Sequence, residues 1–314
     1  MSQHAFRPSP RQGIGASCVS LVPGPWHSLL DFLTQRFPGV DRATWLARLA
    51  RGDVFDAQGC AISPEQASAP PYPAHQHVYY FREVPHETRI PFDEVVLFED
   101  AHLLVVDKPH FLPVVPSGGY LRETVLVRLK HKLGLNDLVP IHRIDRDTAG
   151  LVMLSKQPTS RAAYSALFSQ HQVRKTYLAV APWRADLALP LTRQSRIESA
   201  GHFMLQHEVP GAVNAITHID VLEVRGQQAL YQLSPHTGQR HQLRVHMLGL
   251  GLPICNDGLY PTLTPEGHSD PANPLQLLAK ELVFTDPVTG QARHFVSQRA
   301  LNWPPTQGTD TGAA

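Results

Sequence analysis

The chain has 314 residues, which is long for one average domain and suits a large domain joined to a smaller one. Hydrophobic residues make up 42% and charged residues 18%, so the composition excludes a chain that is largely disordered. A formal net charge of +1 neither predicts nor excludes a nucleic-acid partner.

The cysteines and the apolar segments exclude several other classes of protein. Cys18, Cys60 and Cys255 are an odd number at wide spacings, so they predict neither a disulfide framework nor a Cys-x-x-Cys metal clip. Such usage is typical of a reducing compartment, and we expect a cytoplasmic protein. No apolar run approaches the roughly 20 residues that span a bilayer, so no membrane partner is expected. The N-terminal segment also lacks the apolar stretch of a secretory signal.

The N-terminal part of the chain predicts a small unit of helices and short strands. Residues 1–20 contain Gly, Ser and Pro without periodicity and predict a flexible tail. Apolar residues at helical spacing then predict two helices within 26–51, the second capped by Asp41. Short strands are predicted around 53–56 and 78–81.

From residue 94 onwards the pattern changes to strands and turns with helices between them. Because strands dominate without strict β-α-β alternation, we expect an α+β fold with a mixed, largely antiparallel central sheet and flanking helices. The predicted helices cover 160–170 and 240–248. The predicted strands lie at 95–98, 103–106, 151–154 and 176–180, with two more within 216–233 and a hairpin over 281–296.

Positive charge is concentrated in one segment of the sequence. Residues 122–175 carry ten Lys/Arg and four Asp/Glu, a net charge of +6. This distribution is expected if a single cleft follows a phosphate backbone. A solvated surface would give the same pattern, so the charge alone does not decide between the two.

The most polar stretch next to a predicted strand is 142–151, His-Arg-Ile-Asp-Arg-Asp-Thr-Ala-Gly-Leu. Five of its first six residues are polar or charged although apolar segments lie on both sides, which indicates that they face a cleft. Thr148 can satisfy loop amides, and Gly150 permits a tight turn. A surface loop of mutually screened ion pairs is the alternative interpretation.

A second stretch, 236–246, is His-Thr-Gly-Gln-Arg-His-Gln-Leu-Arg-Val-His. Its Thr-Gly pair before a predicted helix offers backbone amides to a phosphate or a base carbonyl. Arg240 and Arg244, four residues apart on that helix, would share a face and favour an anionic partner, unless the face is simply solvated. His241 and His246 are five apart without a third ligand, so no metal is expected.

These segments resemble the RluA-type family of RNA pseudouridine synthases, over about 95–300. The His-Arg-Leu-Asp-x-x-Thr-Ser-Gly motif of that family matches 142–150, and its Lys-x-Tyr motif matches 175–177. Its Thr-Gly-Arg-x-His-Gln-Leu-Arg-x-His motif matches 237–246, with Gln in place of the first Arg, and its Gly-Asp-x-x-Tyr motif matches 256–260. The motifs occur in the family order.

The resemblance implies the chemistry of the site. It implies that Asp145 is the nucleophile, that Arg244 keeps this carboxylate ionised and oriented, and that Tyr177 stacks on the uracil or transfers a proton. Arg143 would fill the gap left by the flipped uridine or grip the displaced strand. Asp147 is the rival carboxylate, which the motif places outside the pocket as the partner of a nearby arginine. Further residues expected to bind the substrate are His142, Thr148, Gly150, Thr237, Gly238, His241 and Gln242.

The implied enzyme needs no cofactor and no metal, because the reaction includes neither a redox step nor a phosphate transfer. Its expected partner is ribosomal or transfer RNA, bound by a monomer; the motifs do not indicate which uridine reacts. The basic side chains expected to hold phosphates around the flipped nucleotide are Arg128, Lys130, Lys132, Arg174 and Lys175.

Four segments are expected along the chain. Residues 1–20 form a tail, 21–88 a domain that resembles a degenerate S4 RNA-binding domain, 89–303 the pseudouridine synthase domain, and 304–314 a second tail. A small packing module without RNA contact is the alternative for 21–88, because its arginines are opposed by nearby aspartates.

Three other functions are alternatives to an RNA pseudouridine synthase. A catalytically silent RNA-binding protein on the same fold would carry a damaged motif, whereas Asp145, Tyr177 and Arg244 are all present. A zinc deaminase would need a Pro-Cys-x-x-Cys segment, which the sequence lacks. A glycosidase would pair Asp145 with Asp147 or Asp257 as two catalytic carboxylates, but the order of the motifs disfavours that interpretation.

Overall fold

A computed structural model describes residues 8–11, 13–84, 86–201, 204–264 and 270–303. The chain divides into two compact units. The smaller comprises residues up to Glu87 together with Pro116–Arg122, and the larger comprises Thr88–Val115 and the residues from Glu123 onwards. The predicted tail at 304–314 and the first seven residues of the predicted tail at 1–20 lie outside the described residues.

The smaller unit packs three helices against a three-stranded antiparallel sheet of order β1-β3-β2. Both predicted helices occur, and Asp41 caps the second one as expected, accepting from the backbone N–H of Thr44 at 2.7 Å. Trp45 and Leu30 are fully buried in its core. The elements are β1 (Ser17–Ser20), α1 (Leu29–Arg36), α2 (Arg42–Ala50), β2 (Val54–Phe55), α3 (Pro64–Ser68) and β3 (His77–Tyr80).

One part of the predicted N-terminal tail is wrong. Residues Ser17–Ser20 form strand β1, which pairs with β3 from Ser17 opposite Tyr80 to Ser20 opposite His77. Four residues with a single large apolar side chain carry too little alternation to predict a strand, and main-chain hydrogen bonds to β3 supply the missing stabilisation.

The larger unit is built on one large sheet, and the predicted α+β class with a mixed, largely antiparallel sheet is confirmed. In the part of this unit that the structure describes, three helices accompany the strands. The elements are β4 (Val95–Glu99), β5 (Leu103–Lys108), α4 (Val125–Leu133), β6 (Val139–Pro140), β7 (Ala149–Ser155), α5 (Pro158–Ser169), β8 (Arg174–Pro182), β9 (Leu191–Ser199), β10 (Gln206–Val209), β11 (Ala215–Arg225), β12 (Gln228–Pro235), α6 (Gln242–Gly249), β13 (Leu277–Thr285) and β14 (Ala292–Val296).

The strand order of this sheet is β10-β9-β11-β12-β8-β13-β7-β5-β4, with β14 added to β13 and β6 added to β7. Among the described pairings β13–β7 is parallel, and the others are antiparallel. The parallel contact places β13, the next-to-last strand of the described residues, between β7 and β8. Segments that are far apart in the sequence therefore meet at the centre of the sheet.

One row of residues crosses the centre of the sheet. Lys108 of β5 lies opposite Gly150 of β7, which lies opposite Ala279 of β13, and Ala279 lies opposite Tyr177 of β8. Neighbouring strands are about 4.8 Å apart, so the row brings the start of β7 within about 10 Å of Tyr177. The predicted polar loop 142–148 enters the sheet at this row.

Gly150 has a different role from the turn that its position predicted. It is the second residue of a buried strand, with φ of 110°. A Cβ atom at this position would lie 2.2 Å from the carbonyl oxygen of Ala279. The residue is therefore glycine because β13 approaches the backbone of β7 too closely for any side chain.

No helix among the described residues is both long and apolar enough to cross a membrane.

Candidate active site

The loop that carries Asp145 is closed by a short turn before β7. The backbone N–H of Thr148 donates to the carbonyl of Asp145 at 3.2 Å, and Thr148 is 2% exposed. Since β7 is buried along its whole length, the loop is anchored at its C-terminal end while the side chain of Asp145 stays 27% exposed. The carboxylate thus lies at the edge of the core with one side open to a ligand.

The structure brings Asp145 and Arg244 into contact across 99 residues of sequence. Nη1 of Arg244 donates to Oδ2 of Asp145 at 3.2 Å. Arg244 lies on α6 and only 2% of its side chain is exposed, so the guanidinium is held inside the protein and reaches outward to the carboxylate. This geometry orients Asp145 and supplies a positive charge beside it.

A second carboxylate holds Arg244 from its other side. Nε of Arg244 donates to Oδ2 of Asp257 at 2.8 Å, and Nη2 donates to Oδ1. Oδ1 of Asp257 also accepts from the backbone N–H groups of Leu259 and Tyr260 at 2.8 and 3.1 Å. Asp257 belongs to the motif at 256–260, but the motif alone did not indicate this role. The bidentate bond leaves Nη1 as the group that faces Asp145.

His241 faces Oδ1 of Asp145, the carboxylate oxygen that Arg244 does not bind. Its Nε2 is 3.9 Å from Oδ1 of Asp145, and its Nδ1 is 3.0 Å from the hydroxyl of Tyr260. The ring is 9% exposed. Burial lowers the pKa of His241, and the opposing charge of Asp145 does not compensate fully, so the ring is neutral at pH 7.

The pKa of Asp145 is lowered although burial by itself would raise it. Burial is opposed by His241 and by the charge and hydrogen bond of Arg244. Because His241 is neutral at pH 7, the charges that keep Asp145 ionised are that of Arg244 and, more weakly, that of Lys108. The pKa of Arg244 is raised: burial would lower it, but its bond to Asp257 and the charge of Asp145 outweigh that effect.

Tyr177 and Lys175 lie on β8, two residues apart. Burial, assisted by the negative charge of Asp145, raises the pKa of the Tyr177 phenol, so the hydroxyl keeps its proton at neutral pH. Nζ of Lys175 donates to the carbonyl of Thr237 at 3.0 Å, and burial lowers its pKa to about 8. Lys175 thus links β8 to the segment before α6 by a hydrogen bond. Its predicted contact with phosphates stays a prediction.

Lys108 is a buried cation beneath the loop that was not predicted from the sequence. Its side chain is fully buried, and Nζ donates to the carbonyls of Pro109 and Arg146 at 2.8 and 2.9 Å. Burial lowers its pKa to about 7, against the attraction of Asp147 and Asp145. A lysine at the end of the apolar run 103–106 was the available signal, because buried lysines require specific partners.

His142 occupies a packing position. Its Nε2 accepts from the backbone N–H of Met153 at 3.1 Å, and its ring stacks on Phe168 with centroids 4.4 Å apart. Burial, together with the charge of Lys175, lowers its pKa to about 3. The neutral ring fastens the start of the loop to β7 and α5, so these contacts give His142 a structural part beside its predicted substrate contact.

Thr237 and Gln242 are largely engaged within the protein. The hydroxyl of Thr237 accepts from the backbone N–H of Ile216 at 2.8 Å and donates to Oε1 of Gln242 at 2.8 Å. Gln242 is 4% exposed and also donates to the carbonyl of Ile216 and to Thr217. Together they dock the start of α6 on β11. Gly238 is exposed before α6, as its predicted role requires.

The prediction that Arg240 and Arg244 share a helical face is wrong. Helix α6 begins at Gln242, and its N-cap His241 has φ of 56°, in the left-handed region. The chain therefore turns between the two arginines. Arg240 is exposed and donates to the carbonyl of Met204 at 3.4 Å, whereas Arg244 points into the core.

Three further charged residues differ in how far they are bonded within the protein. Asp147 is bonded to Nε of Arg146 at 2.8 Å, as expected for the rival carboxylate. Arg128 was predicted to hold phosphates, but its side chain is 14% exposed and donates to the carbonyls of Phe92 and Ile90 at 2.7 and 2.6 Å. Those bonds, with an ion pair to Glu123, make Arg128 a structural clamp, so its predicted phosphate role is wrong. Arg143 is exposed on the loop.

The described residues contain no cluster of three or more His, Cys, Asp or Glu side chains suited to a metal ion.

Comparison with known proteins identifies the class. The RNA pseudouridylate synthase family model matches residues 102–248, which include the Asp145 loop and most of α6. The fold resembles that of human RNA pseudouridylate synthase domain containing 1, with a TM-score of 0.54 and 19% identity over 66% of this chain and 84% of that one. The fold and the site thus define an RNA-modifying isomerase.

Curated relatives identify the family. An uncharacterised RNA pseudouridine synthase of Zymomonas mobilis is 36% identical over 52% of this chain and 77% of its own length. The dual-specificity RNA pseudouridine synthase RluA of Yersinia pestis is 31% identical over 64% of this chain and 97% of its own length. Ribosomal large subunit pseudouridine synthase D of Nitrosomonas europaea is 32% identical over 62% of this chain and 59% of its own length. The chain belongs to the RluA-type family of RNA pseudouridine synthases.

Proposed function

We propose that this enzyme converts uridine in ribosomal or transfer RNA to pseudouridine with Asp145 as the nucleophile. An Asp145 oxygen attacks C1′ as the C1′–N1 bond breaks, and the electron pair of that bond leaves with the uracil. The uracil turns, C5 displaces Asp145 from C1′, and the proton lost from C5 is balanced by a proton gained at N1. The product is an isomer of the substrate, so no cofactor is needed.

The contact between Asp145 and Arg244 is the observation that carries this proposal. A nucleophilic carboxylate must be ionised in a site that excludes water, which requires a fixed cation. Arg244 is such a cation, because Asp257 fixes its orientation and its side chain is 2% exposed. The 27% exposure of the Asp145 side chain leaves the carboxylate accessible to a sugar.

Tyr177 is proposed as the residue that meets the uracil. Its ring lies in the same row of the sheet as Gly150, next to the Asp145 loop. Because its pKa is raised, the hydroxyl stays protonated at neutral pH. It is therefore suited to donating a hydrogen bond to the departing base rather than to giving up its proton.

The substrate is proposed to be an RNA nucleotide that is flipped out of its stack, at a cost of roughly a few kcal/mol. Arg143 is exposed on the loop of Asp145 and is proposed to fill the gap or grip the displaced strand. Relatives are named for ribosomal large subunit RNA, for position 32 of transfer RNA and for dual specificity, which supports these two RNA classes.

The wider organisation is also a proposal. We assign catalysis to 89–303 and an S4-like domain to 21–88, in an enzyme that acts as a monomer and without metal. Support for the division comes from the two compact units. Insertion of a flexible linker after residue 88, with 89–303 left unchanged, would test the division. Cooperative unfolding of both parts would support it, and loss of cooperative unfolding in either part would contradict it.

The nucleophile is tested by tritium release from RNA labelled at uridine C5. We expect Asp145→Asn to bind RNA, to fold normally and to release no tritium. Asp147→Asn, two residues away on the same loop, is the matched control and should stay active because Asp147 is paired with Arg146. Tritium release by Asp145→Asn would refute the assignment.

A wild-type protein that binds RNA without turnover would support the alternative, a catalytically silent RNA-binding protein. Carbodiimide mapping of all stable RNAs, with and without the protein, would locate the uridine that reacts.

A further inference from the structure

The ring of His241 is held from both ends. Nδ1 faces the hydroxyl of Tyr260 at 3.0 Å, and Nε2 faces Oδ1 of Asp145 at 3.9 Å. Tyr260 is itself fixed, because its hydroxyl accepts from the backbone N–H of Gln206 at 2.8 Å. Its backbone N–H is also bound to Asp257, the residue that holds Arg244. The same network therefore orients both groups that face the carboxylate.

The hydrogen bonds of this network favour one tautomer of His241. The hydroxyl of Tyr260 accepts a hydrogen from Gln206, which leaves its own hydrogen to donate to Nδ1 of His241. The hydrogen of the neutral imidazole then lies on Nε2, towards Asp145. The other tautomer would place the lone pair of Nε2 opposite a carboxylate oxygen, which is repulsive. Both considerations place the N–H on the Asp145 side.

The backbone of His241 is in an unusual conformation. It has φ of 56°, although it is not glycine, and it forms the N-cap of α6 without a side-chain capping bond. A left-handed conformation costs on the order of 1 kcal/mol for such a residue. The conformation directs the ring towards Asp145 instead of towards the helix N-terminus.

We infer that His241 is a positioning residue for the nucleophile, a step that rests on the proposed role of Asp145. Arg244 binds Oδ2 of Asp145, and the Nε2–H dipole of His241 faces Oδ1. The hydrogen bond of Arg244 and the weaker electrostatic attraction of the His241 ring at 3.9 Å together restrict rotation of the carboxylate and keep the attacking oxygen directed at the sugar. Tyr260 fixes the tautomer of His241 and so acts on the nucleophile through the ring.

The charges around the ring determine how this arrangement depends on pH. The groups that act on His241 are two carboxylates, two guanidiniums and the phenol of Tyr260. Protonation of the ring would add a positive charge beside Asp145 and make its oxygen a weaker nucleophile. Because the pKa of His241 is lowered, this loss of rate lies below pH 6.5 in the wild type. The charged groups are Asp145, Asp257, Arg240 and Arg244.

Single-turnover rates against pH test the inference. His241→Asn is too short to reach Asp145, and we expect its rate to fall by about 10²-fold with unchanged RNA affinity. His241→Gln can place an amide N–H near the position of Nε2, so it should keep most of the rate and lose the acid limb of the profile. Tyr260→Phe removes the donor that favours the neutral ring, so its acid limb should move to higher pH.

Exposed His218 on β11 provides a matched control, since His218→Gln makes the same substitution at a histidine away from Asp145. Its profile should match the wild type. If His241→Asn and Tyr260→Phe fold and keep the wild-type rate and acid limb, the inference is wrong while the nucleophile assignment stands. If His241→Asn does not fold, the profiles of His241→Gln and Tyr260→Phe decide. An active Asp145→Asn would remove both proposals together.

Discussion

Arg244 is bound between two carboxylates, and its orientation depends on both. Asp257 holds two of its nitrogens, and the third nitrogen reaches Asp145. A lysine has one charged nitrogen and cannot make both contacts at once. The site therefore depends on the shape of the guanidinium as well as on its charge.

Arg244→Lys is expected to lower the rate by at least about 10²-fold, because one ammonium cannot hold Asp257 and orient Asp145 together. The affinity for RNA should change by less than about threefold, since the guanidinium of Arg244 is buried and bonded to two carboxylates. Single-turnover kinetics and a binding titration measure the two effects. Equal losses of rate and affinity would instead identify Arg244 as a contact to the RNA.

Lys108 makes the stability of the enzyme depend on pH. In the folded protein its pKa is about 7, against an ordinary value of 10.5. Between these values the unfolded chain binds more protons, so the contribution of Lys108 to the free energy of unfolding rises with pH. Below pH 7 the penalty for burying the charged amine applies in full.

Lys108→Met tests this linkage. Relative to the variant, the wild type should gain on the order of 2–3 kcal/mol of unfolding free energy between pH 7 and pH 9.5. Urea unfolding at a series of pH values measures the difference. Lys132→Met, which changes an exposed lysine of α4, is the control and should follow the wild type. Parallel curves for wild type and Lys108→Met would show that Lys108 does not titrate in this range.

Sequence motifs predicted which side chains meet but not what each one touches. The order of the motifs brought Asp145, Arg244 and Tyr177 to one site. Gln242 was expected at the substrate because it belongs to the same motif, yet its amide is used within the protein. Lys108 was missed because its burial depends on the fold of the loop above it. Patterns along a chain do not encode which polar groups become enclosed.

At the scale of elements, the parallel contact of β7 with β13 positions the loop of Asp145. The two strands pair through Leu278 opposite Ala149 and Ala279 opposite Gly150. Such a short contact depends on the close approach of the two backbones. A side chain at Gly150 would separate them and displace the loop.

Gly150→Ala should therefore destabilise the protein by about 3 kcal/mol or more, because its Cβ would overlap a backbone carbonyl that cannot move freely. Gly226→Ala is the matched control: its φ is also positive, at 58°, but no atom lies within 4 Å of the added Cβ. That change should cost only about 1 kcal/mol. Denaturant unfolding compares them, and equal costs would contradict the close approach.

Two elements that the sequence did not predict, β1 and β9, have little apolar alternation. Strand β9 contains Arg193, Arg196 and Glu198, and an ion pair from Arg193 to Glu208 links it to β10. Its stability comes from main-chain bonds and such pairs rather than from a buried face, so periodicity could not indicate it. Strands with a strong apolar pattern, such as β5 and β7, were predicted within one or two residues.

At the scale of the whole molecule, the positive segment 122–175 is only partly available to RNA. Arg128 and Lys175 are bound to main-chain carbonyls, and Arg146 pairs with Asp147. A net charge of +6 therefore overstates the number of phosphates that the segment can neutralise. Four of its ten cations are exposed: Arg122, Lys132, Arg143 and Arg174.

The salt dependence of RNA binding measures this number. We expect the logarithm of the binding constant to fall against the logarithm of salt concentration with a slope of roughly −3, which four phosphate contacts would give. Arg174→Gln should reduce the slope by about one. Arg128→Gln should leave the slope unchanged while lowering the midpoint of urea unfolding. A slope near −7 would require the whole segment to contact RNA.

The separation of Asp145 and Arg244 by 99 residues has a consequence during translation. The loop with the carboxylate leaves the ribosome well before the helix that carries its counter-ion, and Asp257 follows 13 residues after that helix position. A nascent chain that has reached β8 displays the acid and the tyrosine but lacks the guanidinium. Competence for isomerisation is therefore acquired late in synthesis, when strand β13 can insert beside β7.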